Sequence, residues 1–503
     1  MRGIKRLKQA LIWLHKWLGI VLALFFLMWF ASGVVLYFVP FPTLTQDERL
    51  RALPALEAGT DCCLTAEQVA QRAQWQFTQA RLGMYGQTAV WRLLGQAQGS
   101  SAAPQWRTFD ATNGSALAQL TSAQAAAVAE GFSQRRALHT TVLERDQWTV
   151  PQGLNPYRPL AKVELAGDDG LHLYVSLDAA EVVRDTRRSE RFWNWLGAVP
   201  HWIYPTVLRQ APRVWHHVVV WLTIPCVLLA VSGLVLGIWQ LFLNRNRWIP
   251  YRVFWLRWHH ITGLVAALFT VTWIFSGLMS MNPFGIFASR SASAQEQARW
   301  LGAPAVAKLN PAAALAQAPG TQVRELERLH LAGHIWYRLL DTNSQHVLRA
   351  DGSSASPAQT LLPTDTIRPL LQTLRPTAGA PHIVLISQYD NLYYANNPQD
   401  ANTRHTRPLP VWRAQWSDGV VSYADPASGK ILLRLDDSNR QQRLWYYGLH
   451  RLDFAPLLAY PWLRHTLVLG LSALGLLLCV TSCVIGWRAL QRSCKRRGNS
   501  PRR

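Results

Sequence analysis

Four stretches of the chain are long, apolar and free of acidic residues: 11–38, 214–243, 255–281 and 462–490. A bilayer core about 30 Å thick is crossed by about 20 apolar residues in a helix, and each stretch supplies that length. Backbone polar groups inside lipid must be satisfied within the segment itself, so four runs of this kind are read as four transmembrane helices. Composition agrees, with 49% apolar and only 16% charged residues, against about 25% charged in soluble chains. Six cysteines in 503 residues exclude a disulfide scaffold. The first run follows a basic N-terminus, as a signal peptide does. It is too long for one and no small-x-small cleavage site precedes Pro40, so it is read as an uncleaved anchor.

The net charge of +22 is a statement about topology. Met1–Lys16 holds five Lys and Arg, Asn244–Trp258 four and Arg488–Arg503 seven, with no acid among them. All 29 Asp and Glu fall in the two long segments, 39–213 and 282–461. Short basic loops stay cytoplasmic, which places both termini and the 244–254 loop inside, together with the basic tail 491–503. The two long segments are then outside, which for a bacterial inner membrane is the periplasm. The basic excess therefore does not indicate a nucleic-acid partner; the partner it implies is membrane lipid. Trp13, Trp17, Trp248, Trp255, Trp258 and Trp462 suit the aromatic belts at the two interfaces.

The chain also repeats. A shift of 244 lays His15, Gly19, Val21, Ala23, Leu24, Phe25, Trp29, Ser32 and Gly33 on His259, Gly263, Val265, Ala267, Leu268, Phe269, Trp273, Ser276 and Gly277. A shift of 249 lays Tyr174, His201, Leu208, Pro212, His216 and Gly237 on Tyr423, His450, Leu457, Pro461, His465 and Gly486. The expected architecture is two parallel copies of one unit (span, outside domain, span), related by an axis along the membrane normal. Each outside segment reads as α+β. Thr65–Gln76 is expected to be helical after Thr-Ala-Glu-Gln. Strands are expected at Thr88–Leu94, Gln105–Phe109, Ile335–Leu340, Gln345–Leu348 and Val420–Tyr423, with turns at Asp110–Gly114, Asp341–Ser344 and Asp425–Gly429. Ser122–Glu130 and Pro311–Pro319 read as surface helix or linker.

Histidine is uncommon in spans, and an ionisable residue at membrane depth is a functional candidate. His15 and His259 lie one turn inside the cytoplasmic ends; His216, with its neighbour His217, and His465 lie one turn inside the outer ends. His201 and His450 precede the latter two by fifteen residues each. A single histidine at a helix end reads as a headgroup anchor, whereas six reproduced at two depths point to ligation. Symmetric histidine pairs in a four-helix membrane bundle suit bis-imidazole coordination of haem iron, one haem near each face. The pairs expected are His15 with His259, and His216 with His465. His201 and His450 are held as alternative outer ligands or propionate partners, and His217 and His260 as alternatives within their doublets. Gly19, Gly33, Gly263 and Gly277 suit close porphyrin approach or helix packing, and Trp29 and Trp273 an aromatic core. A zinc site is disfavoured by the lack of a Cys-x-x-Cys pattern or acidic partner, and His330 with His334 carries little weight as a metal pair. Cys62-Cys63 is uninformative, and Cys479 with Cys483 reads as packing. No dinucleotide, P-loop or flavin fingerprint is present, so the reductant is bound elsewhere, by a quinol or a cytoplasmic reductase.

Leu14-His15-Lys16-Trp17-Leu18-Gly19, Trp258-His259-His260, Tyr447-Gly448-Leu449-His450-Arg451 and the outside domains with Asp-x-x-x-Gly turns together resemble the PepSY-associated transmembrane family of bacterial iron-regulated inner-membrane proteins. Trp195–Tyr204, which contains His201, is similar to the subgroup that includes ferric-siderophore reductases. The resemblance implies two PepSY-like periplasmic domains, two haem b groups, and electron transfer to a ferric siderophore or other periplasmic ferric complex. The alternatives are a non-enzymatic PepSY-domain scaffold or accessory factor, and a haem or metal transporter using the same histidines transiently.

Overall fold

The computed structural model of the chain describes residues 2–57, 62–243, 249–318, 322–352, 357–395 and 406–498. They divide into two compact units, one made of Met1–Phe41, Glu190–Ala288 and Arg440–Arg503, the other of Pro42–Ser189 and Ser289–Asn439.

The first unit is helical. Among the described residues four helices are long and apolar enough to cross a membrane: Gly3–Phe38, Pro212–Phe242, Phe254–Ser280 and Pro461–Ser493. At 1.5 Å per residue, the 37-residue helix Arg2–Phe38 outruns a hydrocarbon core, and the surplus turns carry the basic N-terminus. Val21, Leu24, Val265 and Leu268 each leave about two thirds of their surface uncovered by protein, the state expected of side chains that face lipid. Leu22, Phe26, Phe30, Leu229 and Cys479 close the bundle interior, with Trp29, Phe269 and Trp273 packed against them. Part of the 244–254 loop, and residues 499–503 of the tail, lie outside the described residues. Short helical segments Ala198–His201 and Leu449–Arg451 belong to this unit, although both lie within the long stretches read above as outside domains. Gly197 permits the first of them to come close, since a Cβ there would stand 2.9 Å from Val35.

The second unit is α+β, with three antiparallel sheets among the described residues. Strands β1 (Trp75–Tyr85), β2 (Thr88–Ala97) and β3 (Gln105–Asp110) share one sheet with β8 (Glu325–Leu331), β9 (His334–Leu340) and β10 (Gln345–Arg349), in the order β10-β9-β8-β1-β2-β3. Strands β4 (Ala137–Leu143), β5 (Leu160–Leu165), β6 (His172–Ser176) and β7 (Glu181–Thr186) form the second. Strands β11 (His382–Ile386), β12 (Val411–Gln415), β13 (Val421–Ala424) and β14 (Ile431–Leu435) form the third. The first sheet joins the two outside segments: β1 and β8 satisfy one another's edge backbone groups through Ala80 with Arg328, Arg81 with Glu327 and Leu82 with Leu326. The segments expected as two separate domains are therefore one compact unit. A buried ion network lies at the same junction. Arg49 makes two hydrogen bonds to Glu325, at 2.6 and 2.7 Å, and Arg81 bonds Glu181 at 2.6 Å and reaches Glu325 at 3.5 Å.

Local expectations fare well where turn chemistry is strong. Thr65 caps the helix Ala66–Arg72 through a reciprocal bond pair with Gln68. That helix ends before Gln76, because Gln74 adopts positive φ and Trp75 enters β1. Asp110 accepts from the backbone N–H of Thr112 and Asn113, and Asp425 accepts from those of Ala427 and Ser428. Cys62 and Cys63 form a vicinal disulfide.

Candidate functional site

His15 and His259 meet inside the helical unit with ring centres 6.3 Å apart and planes tilted by 44°. A second pair has nearly the same geometry: His201 and His450 lie 6.2 Å apart at 50°. The structure thus brings together His201 and His450, where depth along the helices favoured His216 and His465. His216 packs instead on its neighbour His217, ring centres 5.6 Å apart. His465 is exposed; its Nδ1 meets the Tyr37 hydroxyl at 2.7 Å and its ring stacks on Phe38. The physical reason is that the short segments carrying His201 and His450 fold back onto the first and third spans. His260 is buried against Tyr251, 5.3 Å between rings.

The four meeting imidazoles are each held through Nδ1. His201 donates from Nδ1 to the Trp29 carbonyl at 3.2 Å and shares that proton with Ser32 Oγ at 3.3 Å. His450 makes the same bonds to the Trp273 carbonyl and Ser276 Oγ, both at 3.2 Å. His15 uses the Leu229 carbonyl and Ser232 Oγ, and His259 uses Thr481 Oγ1 and Ser482 Oγ. Each of these hydroxyls gives its own proton to a helix carbonyl. The carbonyls of Leu229, Trp29 and Trp273 can only accept, which fixes the proton of His15, His201 and His450 on Nδ1. Among the described residues no hydrogen bond reaches Nε2 of any of the four. Burial holds His201 and His450, which lie outside the spans, down to about 4, so both are neutral at ordinary pH.

A neutral ring anchored through Nδ1 with Nε2 open is the state of a metal-ligating histidine. A metal–imidazole bond of about 2.0–2.1 Å, with the ring centre roughly 1.1 Å behind the nitrogen, puts two opposed imidazoles about 6.3 Å centre to centre. Both observed pairs have that separation, and a tilt between ring planes is compatible with opposed ligation. Glycines make the room: a Cβ at Gly33 would stand 3.1 Å from His201 Cε1, one at Gly277 3.5 Å from His450 Cε1, and one at Gly233 2.7 Å from His15 Cε1. Gly19 and Gly263 face Leu229 and Leu478 instead. Trp29 also donates from its indole to the His201 carbonyl at 3.1 Å. Close by in the chain, Arg209 lies over the rings of Tyr204 and Trp215, 5.1 and 4.7 Å from their centres. Its Nε and Nη1 are buried without a hydrogen-bond partner among the described residues. A carboxylate is the acceptor to which such a guanidinium donates.

Ser32 and Ser276 stood among the repeated identities, and that was their only signal in the sequence. Ser232, Thr481, Ser482, Gly233 and Arg209 carried none. His330 and His334 sit on β8 and β9; His330 reaches the Ala303 carbonyl and His334 the Asp351 carboxylate. No group of three or more His, Cys, Asp or Glu among the described residues is placed to hold a metal ion.

A family model described as the PepSY-associated TM region matches residues 12–362 of the chain. No curated protein matches it.

Proposed function

Because the chain belongs to the PepSY-associated transmembrane family, a multi-pass membrane architecture is its premise, and we propose that it is a dihaem electron-transfer protein reducing ferric complexes outside the inner membrane. The observation that carries this reading is the pair of histidine pairs, His15 with His259 and His201 with His450, each at the separation of opposed ligands with Nε2 open. When bound, haem supplies one-electron chemistry at a potential that its axial ligands and surroundings tune.

The chain's own residues do the rest. The hydroxyls and carbonyls on Nδ1 fix tautomer and ring orientation and raise the basicity of the ligating nitrogen. Leu22, Phe26, Phe30, Phe269 and Trp273 keep the bundle interior dry between the pairs. Arg209, eight residues after His201 in the chain, would hold a propionate through its unpartnered Nε and Nη1. The charge asymmetry of the loops puts His15 and His259 on the cytoplasmic side, where a quinol or a cytoplasmic reductase delivers electrons, and His201 and His450 on the periplasmic side. The substrate is a ferric siderophore, whose hard hydroxamate or catecholate oxygens hold Fe(III) far better than Fe(II), so that one electron releases the metal. The two-copy organisation, with an axis along the membrane normal, makes the members of each pair equivalent.

The test is a reduced-minus-oxidised absorption spectrum of the purified protein with haem stoichiometry, followed by reduction of ferric hydroxamate and catecholate complexes by the dithionite-reduced protein. Two low-spin haems per chain and oxidation by at least one complex are expected. A chain purified without haem from haem-replete cells would favour the scaffold, and haem in rapid exchange the transporter.

A further inference from the structure

The two segments that carry His201 and His450 are tied to the following spans by residues that occupy the same positions but differ in chemistry. Trp215 donates from its indole to the carbonyls of Trp202, at 3.1 Å, and Ile203, at 2.9 Å. Arg464, 249 residues later, donates from Nε and Nη2 to the carbonyl of Arg451, at 3.2 and 3.0 Å. Trp202 and Arg451 each follow a histidine of the outer pair and are themselves 249 residues apart. The second layer repeats the correspondence. The ring of Trp215 meets that of Tyr204 edge-on at 5.7 Å. Arg464 bonds the carboxylate of Asp453 at 2.6 Å, and Tyr204 and Asp453 share the same interval. Both members of the inner layer are buried, Tyr204 at 9% exposure and Asp453 at 0%.

We propose that Tyr204–Trp215 and Asp453–Arg464 are one positioning device in two chemistries, aromatic on one side and ionic on the other, that fixes where His201 and His450 present Nε2. The inference rests on the haem reading above. It is more than packing because the atoms held are the carbonyls directly after the histidines. With Nδ1 anchored on the preceding span and the next carbonyl anchored on the following span, each imidazole is fixed from two helices. The two chemistries are not interchangeable one residue at a time. Arg451 Nε also approaches the buried Asp453 carboxylate, at 3.5 Å, but loss of the 2.6 Å bond from Arg464 leaves that carboxylate short of counter-charge, which is strongly unfavourable, whereas a tyrosine beside a tryptophan has no such requirement.

The experiment measures haem per chain, electron paramagnetic resonance of the oxidised protein and midpoint potentials in Trp215→Leu, Arg464→Leu, Arg464→Trp and the double variant Asp453→Tyr/Arg464→Trp. The two leucine variants and Arg464→Trp are expected to fall from two haems to about one, the inner signal being unchanged. The double variant, which installs the other side's pair, is expected to return to two. Arg464→Lys, which keeps the charge and loses the paired hydrogen bonds from Nε and Nη2 to the Arg451 carbonyl, retains two haems with a shifted outer signal and potential, and covers the case in which the leucine variants do not fold. Two haems with unchanged outer signal and potential in Trp215→Leu, Arg464→Leu and Arg464→Lys would overturn the device alone. So would a double variant no better than Arg464→Trp. Absence of haem from the unaltered chain overturns the functional reading and this inference with it.

Discussion

Leu82 and Leu326 face one another where β1 pairs with β8, and they stand 244 residues apart, the interval that also separates His15 from His259. An antiparallel pair whose facing residues are sequence equivalents has a local twofold axis between them, as the proposed two-copy organisation requires. The hydrogen bonds of Tyr174 to Asp146 and of Tyr423 to Asp390 repeat in the same manner. The shifts drawn from the sequence thus relate residues with matching surroundings in the sheets as well as in the spans.

Alanine variants of the eight histidines separate the pairs. His15→Ala and His259→Ala should each lose about one of two haems and leave one common spectrum. His201→Ala and His450→Ala should lose the other. His216→Ala, His217→Ala, His260→Ala and His465→Ala should retain both. Haem quantitation with pyridine haemochrome decides it, and loss of a haem in His216→Ala with retention in His201→Ala would return the outer ligands to the spans.

The glycines that seat imidazoles predict a graded series. Gly233→Ala puts a methyl 2.7 Å from His15 Cε1 and Gly33→Ala puts one 3.1 Å from His201 Cε1, whereas Gly277→Ala leaves 3.5 Å to His450. Overpacking of this kind costs about 1–3 kcal/mol. Gly233→Ala should weaken retention of the inner haem most, Gly33→Ala that of the outer haem less, and Gly277→Ala should behave as the unaltered protein. Rates of haem transfer to apomyoglobin rank them.

The ion network at the β1–β8 junction predicts acid sensitivity of the α+β unit. Burial opposes the Glu325 charge, Arg49 and Arg81 overcome it, and the carboxyl sits at about 2, against about 4.3 in an unfolded chain. A lowered carboxyl contributes its full stability above the unfolded value, and that contribution declines as pH falls below about 4.3 and is gone near 2. Glu325→Gln leaves Arg49 and Arg81 short of their counter-charge and should cost about 3–5 kcal/mol at neutral pH. Thermal unfolding followed between pH 7 and pH 3 should show a lower midpoint and a flatter acid limb in the variant. Equal midpoints at pH 7 would remove the network from the stability of this unit.

Reporter fusions at Asp110 and Asp351 should score periplasmic, and at Lys8 and Arg252 cytoplasmic, as the placement of basic residues requires. A cytoplasmic signal at either aspartate would reverse the assignment of inner and outer histidine pairs.

What the sequence determined by itself follows from local and additive physics. Span number comes from the length and polarity of four runs, the proposed orientation from where sixteen Lys and Arg fall without acids, and the candidate ligands from histidines recurring at intervals of 244 and 249. Turns such as Asp110–Gly114 were legible because side chain and backbone there bond within a few residues. The tertiary structure decided which histidines meet. His216 and His465 had their depth set by the helices that carry them, but depth says nothing about which way a side chain points. His201 and His450 lie in short segments whose course depends on Gly197 close to Val35, on the carbonyls of Trp29 and Trp273, and on Trp215 and Arg464. Backbone carbonyls carry no residue identity, so bonds to them leave no trace in a sequence. The joining of the two outside segments was likewise hidden, because an edge strand's pairing partner is chosen by backbone groups that every residue shares.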